Sequence, residues 1–594
     1  MWGDYMEGKR LIFYDFEVFV QDWMVVLIDY ETRIKKVIVN DRKELERVYE
    51  KNKESIWIGY NSRNYDSTIL KSILLGMNPK EVNDKLIVHG LKPHQINKRF
   101  NFIKLYGYDA IILNTSLKQL EGFMGENIKE TSVDFNIDRK LTRSEIDETI
   151  KYCTHDVEQT IKVFEATKSD FNAHVGIIEE FNLPMDSFNK TKAQLTAKVL
   201  GAERLHGMTD AMDYEFLDCI KLDRYSYVKD WFDNNRSYKM LNEKGKEVKA
   251  GLKTKVMGVD TDFGWGGLHA AKKKYVSEGL LVHSDVASYY PSIMRYHNLL
   301  SRAVVNPDKF STIMDKRLEY KKAKNPIQGS LKVMINGAYG VCKDKYSPMF
   351  DERRANEICI NCQLLLLDLC EKLEDEFGEN IVAVNLNTDG IIMELKNPGD
   401  LPRYKEICKE WEDRTKFKLE HDLISKIIQK DVNNYIFKFE DGKLERKGAY
   451  VKELKKIDYN LEIVNRAVVE YLLNNTSVEE TINNCNKLID FQFICKVGST
   501  YKNIRWGDKD ISEKVIRTFA TIDDKPGVFK IKIKEKDGEM IESVEKIANT
   551  PEKCVILNDN ITNENTPNWL DRSYYIDMAK KRIEDYLGKG EFKE

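Results

Sequence analysis

Acidic side chains recur along this chain at spacings that would bring them together. In "YDFEVF" Asp15 and Glu17 stand two residues apart. On a strand, that spacing turns both carboxylates to one side. "GYNSRNYDSTIL" carries Asn61, Tyr65 and Asp66 just after the apolar "IWIG", where a strand would hand over to a helix. "IKYCTHDVEQTIKVF" reads as a helix with Tyr152 and Asp156 four apart, hence on one face. Four acids and a tyrosine suit one task. Asp15, Glu17, Asp66 and Asp156 would hold two divalent metals that activate water against a phosphodiester, and Tyr152 would orient that water. Taken singly, each piece has a plainer reading: alternating acids are common on solvated strands, and Asp66 is a competent helix cap.

A second set follows. "HSDVASYYPSIM" puts Asp285 just past the apolar run Leu280 to Val282, at a strand end. In "LKVMINGAYGV" Lys332, Asn336 and Tyr339 fall at i, i+4 and i+7, one helical face. "DKRLEYKKAKNP" sets Arg317 and Lys321 four apart. Two facing helices carrying Arg317, Lys321 and Lys332 would clamp a triphosphate. "IVAVNLNTDGIIMEL" alternates on both sides of Asp389-Gly390, a hairpin signal. Alone, these would read as a turn former, an amphipathic helix with a glycine stop, and an ordinary turn.

The elements that must position these residues are partly legible. "KRLIFYDFEVF" and "DWMVVLIDY" read as two strands around a polar tip, and strand and helix patterns alternate to about Phe164. Residues 170–275 are polar and mixed; their basic cluster Lys272, Lys273 and Lys274 reads as a solvated face or a phosphate contact. Residues 308–340 read as two helices broken at Asn325-Pro326. After about 455 the chain is charged and mixed and closes on the helix-like "YYIDMAKKRIEDYL". There is no internal repeat.

A chain of 594 residues with 42% hydrophobic and 32% charged residues has room for several globular domains, and it is not a disordered composition. A net charge of -3 predicts no bulk attraction to nucleic acid, so any such binding needs a local basic groove. Cys359 and Cys362 form a CxxC inside a helical apolar pattern and read as core thiols, not zinc ligands. No apolar run approaches a membrane span, and no signal-peptide core is seen.

The three acidic segments together, Asp-x-Glu, Asn-x3-Tyr-Asp and Tyr-x3-Asp in order, resemble the proofreading 3′→5′ exonuclease domain of family B DNA polymerases. "NTSLKQL" looks like the family's Ser-Leu element, which implies that Ser116 and Leu117 touch single-stranded DNA, as do Asn61 and Tyr65. The family's catalytic lysine has two candidates, Lys129 and Lys140. "DVASYYPS" resembles the first polymerase motif, with Tyr289 where Leu is usual; "LKVMINGAYGV" resembles the second, with Gly337 for Ser; "LNTDGIIM" stands at the third, with Asn387 for the first Asp and Gly390 for Ser. Tyr435 matches the family's Lys-x-Tyr motif while Asn433 takes its Lys position, and Lys447 is a further phosphate contact. "FGWGGLHAA" is similar to the link between the two halves, with Gly264 where Tyr is expected.

The resemblance implies an α/β and α+β multidomain protein: a ribonuclease H-like exonuclease domain plus a right-hand polymerase of palm, fingers and thumb, of small phage type. Its expected layout is 1–168 exonuclease, 169–278 connecting region and N-terminal palm, 279–300 and 340–455 palm, 301–339 fingers, and 456–594 thumb and C-terminal region. It implies DNA-directed DNA synthesis with proofreading and two Mg2+ (or Mn2+) ions per site. Asp285, the Val286 carbonyl and Asp389 would hold the polymerase metals. Lys332, with Arg317 and Lys321, would take the triphosphate. Asn336 and Tyr339 would face the nascent base pair, and Tyr290 would exclude a 2′-hydroxyl. The implied partners are primer-template DNA and dNTPs, with a helicase or single-strand-binding protein, for a monomer in bacterial cytoplasm away from membranes. An exonuclease-dominant enzyme with a weakened polymerase half and a non-catalytic replisome module are the alternatives. The intervals Asp285 to Lys332 (332 - 285 = 47) and Asn336 to Asp389 (389 - 336 = 53) leave no room for the insertions of protein-primed relatives.

Overall fold

The computed structural model describes residues 9–536 and 539–588. The chain forms two compact units: one from residues 1–191, 454–464 and 479–576, the other from 192–453, 465–478 and 577–594.

The first unit is built on a five-stranded sheet of order β3-β2-β1-β4-β5. β1 (Leu11–Val18) and β2 (Trp23–Asp29) are the hairpin expected from the sequence, and β3 (Lys35–Val39) adds an edge. β4 (Ile56–Gly59) and β5 (Tyr106–Asp109) join parallel to β1. β1 and β2 are nearly continuous apolar runs because both sheet faces are covered. The helix Asp66–Leu74 lies over Tyr14 and Phe16 on one face. Phe164, on the 24-residue helix Arg143–Ala166, meets Phe13 on the other. The outer edge of β5 is closed by one side chain: Asn189 accepts from Gly107 N (2.7 Å) and donates to Leu105 O (2.7 Å).

Residues 479–576, expected with a thumb, belong instead to this unit. A buried guanidinium explains the attachment. Arg517 donates to carbonyls of Gly122 (3.3 Å), Glu126 (2.7 Å) and Leu557 (3.2 Å) and to Gln492 Oε1 (2.9 Å). Neutral acceptors satisfy it without a carboxylate, and burial lowers its pKa to about 10. The unit likewise extends past the expected boundary at 168, to residue 191.

The second unit holds a ten-stranded sheet. A small hairpin, β6 (Lys239–Leu241) with β7 (Glu247–Lys249), stands apart from it. The sheet's own strands are β8 (Gly251–Val256), β9 (Val259–Gly264), β10 (His269–Ala271), β11 (Tyr275–Ser277), β12 (Leu280–Val286), β13 (Ile381–Leu386), β14 (Gly390–Leu395), β15 (Leu419–Asp431), β16 (Asn434–Phe439) and β17 (Leu444–Lys447). Their order is β17-β16-β15-β12-β14-β13-β10-β9-β8, with β11 paired to β15. The strand bearing Asp285, β12, is therefore central, antiparallel to both β14 and β15. The two helices read around Asn325-Pro326 are Asp308–Lys322 and Ile327–Lys343.

The helix Glu352–Phe377 is buried on nearly every face, although it carries Asn361, Asp368 and Glu371. Those side chains accept from main-chain N–H groups of a segment lying along it: Leu217 (2.9 Å), Lys221 (2.8 Å) and Tyr225 (2.8 Å) respectively. Arg414 adds an ion pair to Asp368 at 2.6 Å. All ten cysteines are free, and Cys359 and Cys362 are buried in this helix. Among the described residues no helix is long and apolar enough to cross a membrane.

Candidate active sites

In the first unit β1 sets Asp15 and Glu17 on one side, as the spacing requires. Asp66 opens the helix Asp66–Leu74, and its Oδ1 accepts from Phe16 N of β1 at 3.1 Å. Asn61, five residues earlier, is in the left-handed region at φ 57, which lets the chain turn sharply from β4 into the helix. Asp156 and Tyr152 come from the helix Arg143–Ala166. The four carboxylates are close enough to repel one another. Burial, then Asp66, Glu17 and Asp156, push Asp15 well above the ordinary range. Burial, then Asp156 and Asp66, do the same to Glu17. Burial pushes Asp66 up to about 7.

The cation in this cluster is Lys118. Its Nζ lies 2.8 Å from Asp156 Oδ1, 3.1 Å from Glu121 Oε2 and 4.5 Å from the centre of the Tyr152 ring. Burial opposes its charge, but Asp156 and Glu121 outweigh burial and raise its pKa. Neither lysine singled out from the sequence is here. Lys129 pairs with Asp559, and Lys140 is exposed. The missed signal was adjacency: Lys118 follows Ser116 and Leu117, which cap and begin the helix Leu117–Phe123 at the rim of the same cluster. Tyr65 is half-buried, its hydroxyl donating to Asn83 at 2.7 Å.

In the second unit a cavity of about 450 Å³ gathers residues from five separate segments. Asp285, Val286 and Tyr290 come from the end of β12 and the helix Tyr289–Tyr296. Arg317 and Lys321 come from one helix, and Lys332 and Asn336 from the next. Asp389 precedes β14, and Glu420, which the sequence did not suggest, projects from β15 opposite Asp285. Val286 N donates to Asp389 O at 2.9 Å, locking the two strand ends together. Burial first, then Asp389 and Glu420, push Asp285 up to about 7. Ser288 sits at φ 52, a strained conformation for serine in the turn that aims the following helix. Arg317 donates to Ser288 Oγ at 3.2 Å, its Nε is buried without a partner, and burial lowers its pKa.

Several expectations change in detail. Gly390 is not a turn residue with positive φ; it lies in β14, where an added Cβ would meet Asp285 Oδ1 at 2.9 Å. Asp-Gly therefore marks a close approach between strands. Tyr289 is buried and donates to Cys362 O at 2.7 Å, so it fills the core slot in place of leucine and leaves Tyr290 facing the cavity. Tyr339 lies behind Tyr290, ring centres 4.3 Å apart, and not in the cavity wall. Asn387 holds the loop, accepting from Thr388 N at 2.9 Å. Tyr435 is buried, stacked on Phe437 and bonded to Glu445 at 2.9 Å, with exposed Lys447 over its ring at 5.8 Å. Asn433 lies in the turn between β15 and β16, where its N–H donates to Asp431.

No protein-family model matches this chain, and none of the curated proteins does. Among solved structures it is similar to the family B DNA polymerase of the hyperthermophilic archaeon Pyrobaculum calidifontis. The identity is 13% and the TM-score 0.41, over 99% of this chain and 79% of that one.

The donor sets fit hard divalent cations. Both offer carboxylate oxygens crowded against like charge, which a cation would relieve. The softer donor near the first set, Cys153, has its thiol pushed well up by burial and then by Asp15. The carboxylate oxygens that dominate both sets suit Mg2+ or Mn2+ better than zinc.

Proposed function

We propose that this chain is a DNA-directed DNA polymerase with a 3′→5′ proofreading exonuclease. One observation carries the reading. One cavity in the second unit collects Asp285, Asp389, Arg317, Lys321, Lys332, Asn336 and Tyr290, residues picked from sequence motifs spread over some hundred positions. The β3-β2-β1-β4-β5 order beneath Asp15 and Glu17 supports a ribonuclease H-like exonuclease in the first unit.

At the second site Arg317, Lys321 and Lys332 hold the triphosphate of a dNTP. Tyr290, backed by Tyr339, lies under the sugar, where a 2′-hydroxyl would collide with its ring. The primer 3′-oxygen attacks the α-phosphorus in line, one P–O bond forms as another breaks, and pyrophosphate leaves. Asp285, the Val286 carbonyl and Asp389 would hold Mg2+ or Mn2+, which lowers the pKa of the attacking hydroxyl and neutralises charge on the phosphate. At the first site Asp15, Glu17, Asp66 and Asp156 would hold the same ions for hydrolysis of the 3′-terminal phosphodiester. Lys118 faces the negative charge that develops there, and Tyr152 orients the water. Asn61, Tyr65, Ser116 and Leu117 would guide single-stranded DNA, and Lys447 would contact duplex phosphate.

The interval Asp285 to Lys332 is occupied by the helices Tyr289–Tyr296 and Asp308–Lys322 and the start of the next. Asn336 to Asp389 is occupied by the rest of that helix, Glu352–Phe377 and β13. Ordinary primers and arrest at downstream duplex follow from this, with helicase or single-strand-binding protein as partners. The deciding experiment incubates a labelled primer-template with Mg2+, with and without dNTPs. Extension with dNTPs and shortening without them are expected. A primer unchanged in both would overturn the reading.

A further inference from the structure

In the first unit a second cavity, about 480 Å³, opens beside β5. Tyr14 forms part of it, and on β1 that side chain points away from Asp15 and Glu17. The cavity therefore lies on the opposite sheet face from those two carboxylates. One wall is a line of side chains four apart: Arg63 just before the helix Asp66–Leu74, Ser67 in its first turn and Lys71 in its last. Ser67 Oγ donating to Arg63 O at 2.6 Å fixes that line. One end is closed by Asn189 and Lys190, and Asn189 is tied to β5 by its two hydrogen bonds.

The cations lining this cavity, Arg63, Lys71, Lys104 and Lys190, outnumber its acids, Asp109 and Asp186. Lys71 is half-buried with no carboxylate partner, and burial lowers its pKa. Among the described residues neither Arg63 nor Lys190 forms an ion pair. Lys104, by contrast, is committed to Glu54 at 2.7 Å. The nearby acid Asp109 already accepts from Arg63 N (3.1 Å) and Ile111 N (3.2 Å). A half-buried ammonium without a counter-charge is costly unless an anion fills the space. The cavity is in the size range of small-molecule sites and too large for phosphate alone. At its rim Phe102 is 85% exposed and presents a ring for stacking.

We propose that this cavity binds a nucleoside monophosphate, with the phosphate against Arg63, Lys71 and Lys190 and the base on Phe102. The site stands on these side chains alone and goes beyond the polymerase and exonuclease reading. The same chemistry is presented by a free mononucleotide and by the 5′-end of a strand.

The test is equilibrium dialysis of the full chain with labelled dAMP in EDTA, which silences metal-dependent binding at the two carboxylate sites. Saturable binding is expected, at least tenfold tighter than that of inorganic phosphate. Lys71→Met and Lys190→Gln should each weaken it about tenfold. The thermal midpoint of Lys71→Met should be no lower than that of the parent, which separates lost binding from lost folding. Displacement of dAMP by a 5′-phosphorylated oligonucleotide would identify the strand end as the ligand's source, and no displacement would identify the free nucleotide. Absence of saturable dAMP binding, equal affinity for inorganic phosphate, or unchanged binding in folded Lys71→Met would overturn the proposal.

Discussion

In the first unit four carboxylates crowd one another and one of them, Asp156, pairs with a lysine, whereas in the second Asp285, Asp389 and Glu420 share an open cavity with three cationic side chains. The acids of the first site are crowded mainly by each other and by burial. Of those in the second, Asp285 is half-buried and Asp389 and Glu420 are exposed, and the cavity they line also holds Arg317, Lys321 and Lys332. Under the proposed function, the difference follows what each site would hold. Hydrolysis of a DNA end would bring one phosphodiester to the metals, with Lys118 to balance it. Synthesis would bring a triphosphate, with more negative charge, and would need a cationic wall of its own.

Separate ligand sets predict separable activities. Asp389→Asn should lower primer extension by about 10³-fold or more, since several kcal/mol of charge stabilisation are lost at about 1.4 kcal/mol per decade. It should leave degradation of single-stranded primers within about twofold, and Asp66→Ala should do the converse. Both rates are read from the same gel. Parallel loss of the two activities in either variant would break the division.

Lys118 sharpens the contrast. Lys118→Met removes the one cation held by Asp156 and Glu121 and should slow degradation by about 10²-fold, the usual cost of a lost transition-state donor, without touching extension. Single-turnover degradation measures it. Equal activity of Lys118→Met and parent would leave the four acids to act without that cation.

What was legible in the sequence divides along physical lines. Local pattern placed β1 and β2 as apolar runs buried on both faces, and the helix Arg143–Ala166 and the helix pair broken at Asn325-Pro326 by a buried stripe whose spacing survives in the residue order. Lys118 was not legible, because its partners Glu121 and Asp156 meet only when two helices pack. Glu420 was hidden likewise, since only the β12–β15 register sets it opposite Asp285. Within 170–275, read as polar and mixed, residues 217–225 were obscure for a different reason: N–H groups there bond to side chains of the helix Glu352–Phe377, which leaves no repeating pattern. The attachment of 479–576 to the first unit rests on Arg517 and carbonyl oxygens, and carbonyls leave no mark in a sequence.

Tyr290→Val should reduce discrimination against ribonucleotides by about 10- to 100-fold, in the range a shape-based pocket supplies. Tyr289→Phe should change it little, because that hydroxyl is spent on Cys362 O inside the core. The ratio of dNTP to rNTP incorporation measures both. A larger effect at Tyr289 would exchange their assignments.

The two sites should also differ in what they cost the fold without metal. Asp66 ionises near about 7 against an ordinary 3.8, so between those values the folded chain holds more protons than the unfolded one. Stability contributed by the protonated form is thus present at about pH 4 and lost as the pH rises toward 7. In chelator at pH 8, Asp66→Asn should therefore raise the thermal midpoint, by about 2–4 °C for each kcal/mol of relieved strain. The gain should shrink at pH 5. Asp285→Asn should act in the same direction but less, because Asp285 is half-buried where Asp66 is fully buried. Calorimetry at the two pH values checks both, and a larger gain at pH 5 than at pH 8 would contradict the sign.

The smallest effect is expected at Asn387, where the family pattern carries an acid. If that position held a metal, restoring the acid should matter greatly. The structure argues otherwise. Asn387 does not line the cavity that holds Asp285 and Asp389. Its Oδ1 accepts from Thr388 N at 2.9 Å, and its own N–H donates to Gly390 O at 2.9 Å. Both bonds shape the loop that presents Asp389, and an aspartate can accept the first as well as asparagine does. The added charge lies outside the cavity in partial contact with solvent, where such interactions are worth about 0.5 kcal/mol. Asn387→Asp should therefore change the extension rate by less than about threefold in either direction. Steady-state extension with saturating dNTP and Mg2+ measures it. A tenfold or greater gain would mean that the loop can turn residue 387 into the site.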